Sequence, residues 1–209
     1  RQASEKTGSS RQARQIFRVI IIYSPIMDKI VFEWIYSWAN QYKILDLLGI
    51  FLAQYLPYVL IVVFIVLVLL EKDWRKSLYQ FFLGVLSVLL ARGIIVEIIR
   101  YFYESPRPYI TLVFKPLIDL EFSNSFPSGH ASVFFALAMA IFLFNGSARL
   151  TISRKWGYYF FVGAVLNGLA RVYVGVHWPT DILGGMVVGI LSALIVWKVL
   201  PKPNQNALI

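Results

Sequence analysis

The chain has 209 residues and is 58% hydrophobic, against the ~45–50% of an average soluble domain. The excess is gathered into long runs, so a bundle of membrane spans is expected rather than an ordinary soluble fold. There is no cysteine, which excludes disulfides, thiolate chemistry and Cys-based metal sites, and the two histidines argue against a histidine-rich metal site. The net charge of +9 would suggest nucleic acid for a soluble protein, but here much of it lies in short connections between apolar runs, where Lys and Arg set membrane orientation.

Residues 1–26 form a basic tail that opens on Arg1, and its first part, RQASEKTGSSRQAR, is expected to be disordered or interfacial. The tract VIIIYSPIM, Val19 to Met27, is too short to span and contains Pro25. The stretch IVFEWIYSWAN, residues 30–40, mixes aromatics with Glu33 and reads as an amphipathic helix at the membrane interface. A sixth span over 17–40 ranks second, because Asp28, Lys29 and Glu33 near its centre would be costly in hydrocarbon.

Five spans are predicted: Ile44–Leu70, interrupted only by Gln54 and Pro57, then Ser77–Ile99, Ser128–Phe144, Trp156–Val174 and Thr180–Leu200. Each approaches the ~20 residues needed to cross the hydrocarbon. A polar, proline-containing segment, Tyr101–Phe126, separates the second from the third. The runs are continuous rather than alternating, which favours helices over a barrel. The fold class is therefore all-α, a polytopic membrane helical bundle over 27–203, with five spans, an N-terminal interfacial helix or sixth span, and a short tail at 204–209.

One side of the bundle receives Lys72, Arg75 and Lys76, then Arg149, Arg154 and Lys155, then Lys198 and Lys202. The positive-inside rule makes that side cytoplasmic. Segment 101–126 and the turn around His177 then face outward. Arg100, Arg107 and Lys115 oppose this count, but the two arginines have a chemical use.

Three clusters fall on that outward side: RYFYESPRP with Arg100 and Arg107, PSGH from Pro127 to His130, and ARVYVGVHWPTD with Arg171, His177 and Asp181. Guanidinium is a planar fork matched to phosphate oxygens. Three arginines at one membrane surface repel one another unless an anion sits between them. A helix N-terminus at Ser128 adds free N–H groups, and Gly129 lets backbone approach closely. This cradle would hold a phosphoryl group with no metal and no cofactor. A carboxylate at Asp181 on one ring nitrogen of His177 would fix its tautomer and leave the other nitrogen to attack phosphorus. His130 would protonate the departing oxygen. Taken singly, each feature has a plainer alternative: a snorkelling arginine, a helix cap, a structural hydrogen bond.

Together, Arg100-x6-Arg107-Pro108, Pro127-Ser128-Gly129-His130 and Arg171-x5-His177-x3-Asp181 resemble the three-part motif of the type 2 phosphatidic acid phosphatase superfamily. The resemblance covers about residues 30–200. It implies a metal-independent phosphatase with a phosphohistidine on His177, Asp181 as its partner and His130 as acid. Arg100, Arg107, Ser128, Gly129 and Arg171 would bind the phosphoryl group. The chain departs from the pattern at Arg100, where the family usually has Lys, and at Ala170, where it usually has Ser. The layout, with LDLLGIFLAQYLPYVL from Leu45 to Leu60, is similar to the bacterial undecaprenyl-diphosphatases. That implies a lipid diphosphate substrate at the outer leaflet of a bacterial inner membrane, carrier-lipid recycling and bacitracin tolerance. The implied partners are that substrate and membrane lipids, not nucleic acid. The motifs bind phosphate rather than the tail, so a phosphatidylglycerophosphate or broad lipid-phosphate phosphatase stays open, as does a non-enzymatic anionic-lipid binder or transporter.

Other polar residues lie within spans. Arg92 and Glu97 are expected to line a polar interior or pair with each other. Asn167 either positions Arg171 or makes an interhelical hydrogen bond. Gly185 and Gly189 form a small-xxx-small face for internal packing.

Overall fold

A computed structural model describes residues 26–119, 124–144 and 154–203, and its regular elements are all helices. In chain order they are α1 (residues 26–36), α2 (Lys43–Leu70), α3 (Trp74–Phe102), a single turn α4 (Pro108–Thr111), α5 (Gly129–Leu143), α6 (Arg154–Tyr173) and α7 (Pro179–Val199). A helix appears within a few residues of the bounds expected for each span. The expected tail at 204–209, and that at 1–26 apart from Ile26, lie outside the described residues, as does Arg149. Ile26 already belongs to α1.

Helices α2, α3 and α7 are long and apolar enough to cross a membrane. On α7, Leu183, Val187, Leu191 and Ile195 are exposed, while Gly185, Gly189, Ser192 and Ala193 are buried. That gives the helix a lipid-facing stripe and a protein-facing one. Helix α5 has 15 residues and rises only ~22 Å. It tolerates this shortness because it is the central helix, packed between α6 and α7 with α3 alongside, and is lined with alanines and buried phenylalanines. A Cβ on Gly185 would lie 2.6 Å from the Ser128 carbonyl oxygen, and one on Gly189 would lie 2.5 Å from that of Ser132. The glycine face of α7 is thus spent on α5, within the bundle.

Local sequence sets the helix starts. The Asp73 carboxylate accepts from the Arg75 N–H at 3.0 Å and caps α3, Ser128 caps α5, and Pro179 is the first residue of α7. Both α2 and α3 carry a π-helical turn, at Phe51–Tyr55 and at Leu89–Ile95. In α2 the cause is legible. Pro57 has no N–H, so carbonyls one turn earlier lose a helical donor. The Asn167 side-chain amide from α6 donates to Leu52 O at 2.8 Å and to Ala53 O at 3.2 Å. Of the two expectations for Asn167, the interhelical bond is the one observed.

Because the long helices alternate in direction, the starts of α2, α5 and α7 and the ends of α3 and α6 share one end of the bundle. Lys72, Lys76, Lys198 and Lys202 collect at the other. There Arg75 lies over Trp74 at 5.6 Å and Lys202 over Trp197 at 4.1 Å, both within cation–π range.

Helix α1 lies across the first end. Asp28 bonds Thr180 at the start of α7, the Phe32 ring meets Trp178 at 5.1 Å, and Tyr36 meets Phe114 at 4.5 Å. The Tyr36 hydroxyl donates to Lys115 O at 3.2 Å. Its opposite face, with Ile26, Met27, Ile30 and Trp34, is exposed. Over 26–36 the chain packs against this end of the bundle, as an interfacial helix would, and residues 17–25 of the alternative sixth span lie outside the described residues.

Candidate active site

The three sequence clusters meet at this end of the bundle. Ser128 N–H donates to Asp181 O at 2.9 Å, which ties the start of α5 to the start of α7. Arg107, one residue before α4, reaches under the turn that carries His177. Its Nη1 donates to Val176 O at 2.8 Å and lies 3.3 Å from His177 Nε2. On the other side of the ring, His177 Nδ1 is 3.1 Å from Asp181 Oδ2. That carboxylate oxygen also accepts from Trp178 N–H at 2.8 Å and from the Ser125 hydroxyl.

These neighbours favour one tautomer of His177 from two directions. Arginine can only donate, so Nε2 must carry its lone pair toward Arg107. The Asp181 carboxylate can only accept, so the proton sits on Nδ1. In that tautomer Nε2 is the ring nitrogen left with a lone pair, on the side of Arg107. Arg107, His177 and Asp181 are each 1% exposed and Arg171 is 2% exposed. Burying a charge costs several kcal/mol unless it is paired and hydrogen-bonded, so a cluster this rich in guanidinium is suited to an anion.

The remaining predicted residues divide. Arg100 Nη2 donates to Pro127 O at 3.0 Å, and the Asn124 amide donates to Arg100 O at 2.9 Å, so Arg100 braces the turn leading into PSGH. The Ser128 hydroxyl caps α5, accepting from Ala131 N–H at 3.4 Å. Gly129 does permit a close approach, but by Arg92: a Cβ there would lie 2.6 Å from Arg92 Nε. Arg171 is in the last turn of α6 at the same end. His130, in the first turn of α5, is half-buried and lines a groove of about 260 Å³ with Gln54, Pro57, Tyr58, Ile61 and Arg92. Ala170, the position of the departure from the family pattern, packs in an apolar cluster with Ala53, Tyr109 and Tyr173.

Two residues at the site escaped the sequence reading. Ser125 is fully buried and donates to Asp181; its place two residues before Pro127 was the only available signal. Asp28 accepts from Thr180 N–H at 2.9 Å and from the Thr180 hydroxyl, capping α7 from another helix. Its carboxyl is raised above the ordinary carboxylate range, chiefly by burial; the Thr180 hydrogen bonds pull it down and the Asp181 charge adds to the rise. Asp28 touches no reacting atom and acts as a positioning residue for the turn that holds Asp181. Asp28→Ala is expected to lower kcat by about fivefold with KM nearly unchanged, in keeping with the ~1 kcal/mol of a lost cap. Asp28→Asn, which keeps one acceptor, should recover part of it. Steady-state kinetics of both variants decide the matter, and an unaltered kcat for Asp28→Ala removes the positioning role.

The family model of the PAP2 superfamily matches residues 81–205, more than half of the chain. A protein named bacitracin transport permease protein BcrC from Bacillus licheniformis is 32% identical over 82% of this chain and 79% of its own length. The undecaprenyl-diphosphatase BcrC of Bacillus subtilis is 27% identical over 82% of this chain and 83% of its own. Among solved structures, Aquifex aeolicus LpxE superposes with a TM-score of 0.63 at 27% identity, covering 80% of this chain and 93% of that one.

Proposed function

Because this chain belongs to the PAP2 superfamily, we propose that it is a lipid phosphatase of the bacterial cell membrane that removes the terminal phosphate of undecaprenyl diphosphate by way of a phosphohistidine. One observation carries the chemistry: the Nε2 lone pair of His177, set by Asp181 behind the ring and faced by Arg107 in front. A phosphoryl group arriving at Arg107 would take over the guanidinium and uncover Nε2.

In the proposed reaction, Nε2 attacks the terminal phosphorus and the P–O bond to the lipid phosphate breaks. The bond's electron pair leaves on the bridging oxygen, which takes a proton from His130. Water, giving a proton back to His130, then attacks the phosphohistidine and releases orthophosphate. Arg100, Arg107 and Arg171, with Ser128 and Gly129 at the start of α5, would hold the phosphoryl oxygens, and Asp181 would stabilise the developing imidazolium. His130 must begin protonated and His177 neutral, so rate against pH should be bell-shaped.

The substrate rests on the two Bacillus relatives, which are matched over most of both chains. The orientation rests on the basic residues opposite the site, which the positive-inside rule puts in the cytoplasm. The site would then act on the outer leaflet, recycling a carrier lipid, with bacitracin tolerance as the expected phenotype. The test is phosphate release by the purified chain from undecaprenyl diphosphate, phosphatidylglycerophosphate and phosphatidic acid, each with EDTA present. The diphosphate should be hydrolysed fastest, and vanadate should inhibit. A preference for phosphatidylglycerophosphate overturns the substrate, and activity lost to EDTA and restored by Mg²⁺ overturns the metal-free chemistry. A transport reading has one observation behind it, the permease name of the Bacillus licheniformis relative. It requires that a chain without His177 still works.

A further inference from the structure

The motif residues leave a second arginine of α3 unexplained. Arg92 lies in a span, on the π-helical turn Leu89–Ile95, and forms an ion pair with Glu97. An ionisable group in a span is costly and marks a functional site by default, and π-turns inside helices recur at such sites. Arg92 is set against the Gly129 backbone, next to His130, and lines the same groove. Gln54, on the π-turn of α2, lines it too.

The order of groups along this surface is informative. Arg100 contacts the turn at Pro127, before His130, and Arg92 contacts Gly129 from two turns deeper along α3. Beyond them the groove is apolar, with Pro57, Tyr58, Ile61, Val133 and Phe134. A lipid diphosphate has the same sequence of parts: a terminal phosphate, a bridging oxygen, a second phosphate attached to the lipid, then the tail. With the terminal phosphate at His177 and the bridging oxygen at His130, the lipid-linked phosphate falls next to Arg92.

We propose that Arg92 is a specificity-determining residue that binds the lipid-linked phosphate of a diphosphate substrate, exchanging its Glu97 partner for that phosphate. The inference rests on the phosphatase reading above and adds to it the choice of diphosphate over monophosphate. When the P–O bond breaks, the departing lipid phosphate gains negative charge on the oxygen that His130 protonates. A guanidinium beside that phosphate stabilises the departure as well as the binding.

The test compares kcat/KM of the purified full chain for a polyprenyl diphosphate and for the polyprenyl monophosphate with the same tail. Wild type is set against Arg92→Gln and Arg92→Lys. Arg92→Gln is expected to lower the diphosphate-to-monophosphate ratio by roughly tenfold to a hundredfold, the range of a lost charged hydrogen bond. Arg92→Lys, which keeps the charge and can keep the pair with Glu97 but loses the fork, should fall between. If Arg92→Gln does not fold, Arg92→Lys alone decides. A ratio unchanged from wild type overturns the inference while leaving the phosphatase reading intact. A wild-type chain that cannot hydrolyse the diphosphate overturns the reading itself, and this inference with it.

Discussion

Replacing His177 by Ala is expected to abolish phosphate release, with a loss of roughly four orders of magnitude or more, because in the proposed mechanism it is the nucleophile that forms the covalent intermediate and has no substitute. The surroundings predict that the fold survives. Asp181 keeps the Ser125 hydroxyl and the Trp178 N–H as donors, so its buried carboxylate is not stranded, and Arg107 keeps the Val176 carbonyl. Loss of turnover with an unchanged melting temperature is therefore the expected pair of results. Acid-quenched wild type, given substrate labelled in the terminal phosphate, should retain little label. Alkali-quenched wild type should retain the alkali-stable phosphohistidine, and His177→Ala should retain none. Near-normal phosphate release by the variant would refute His177 as the nucleophile.

Arg107 should come second in effect. It is fully buried and spans two jobs: Nη1 holds the Val176 carbonyl that shapes the His177 turn, and the same guanidinium faces Nε2, where the phosphoryl group would arrive in the proposed reaction. Arg107→Ala removes a donor aimed at the transferring group, a loss worth about 10²–10³ in kcat, or roughly 2.7–4 kcal/mol of transition-state stabilisation. Arg107→Lys should rescue little, because one ammonium cannot serve the carbonyl and the phosphate with a fork's geometry. The comparison is made on kcat and on vanadate inhibition, which should weaken in parallel. Equal activity of the Lys variant and wild type would show that charge alone suffices there.

Much of this was readable from the sequence, for physical reasons that are local. The spans follow from long apolar runs, and the starts of α5 and α7 from Ser128 and Pro179, residues whose chemistry favours the beginning of a helix. That the three clusters converge follows from alternation: spans that reverse direction bring Arg100, His130 and His177 to one end whatever the details of packing. What the sequence did not disclose depends on contacts across long separations. Nothing near Asn167 announces that it serves carbonyls released by Pro57, on a helix more than a hundred residues earlier. Nothing near Asp28 announces that it caps α7. Ser125 reads as one more small polar residue in a loop until the coordinates set it against Asp181.

The π-turn of α3 has a consequence for how such a helix is counted. Arg92 and Arg100 are eight residues apart, which on a regular helix would set them about 80° apart around the axis. Both nonetheless reach the short segment between Pro127 and Gly129. The surplus residue in the wide turn takes up part of that offset and brings the two cations toward a common azimuth. Helix α3 is thus a phased object as well as a hydrophobic one. An equally greasy replacement shorter by one residue would still cross the bilayer, yet it would rotate Arg100 relative to everything before the turn.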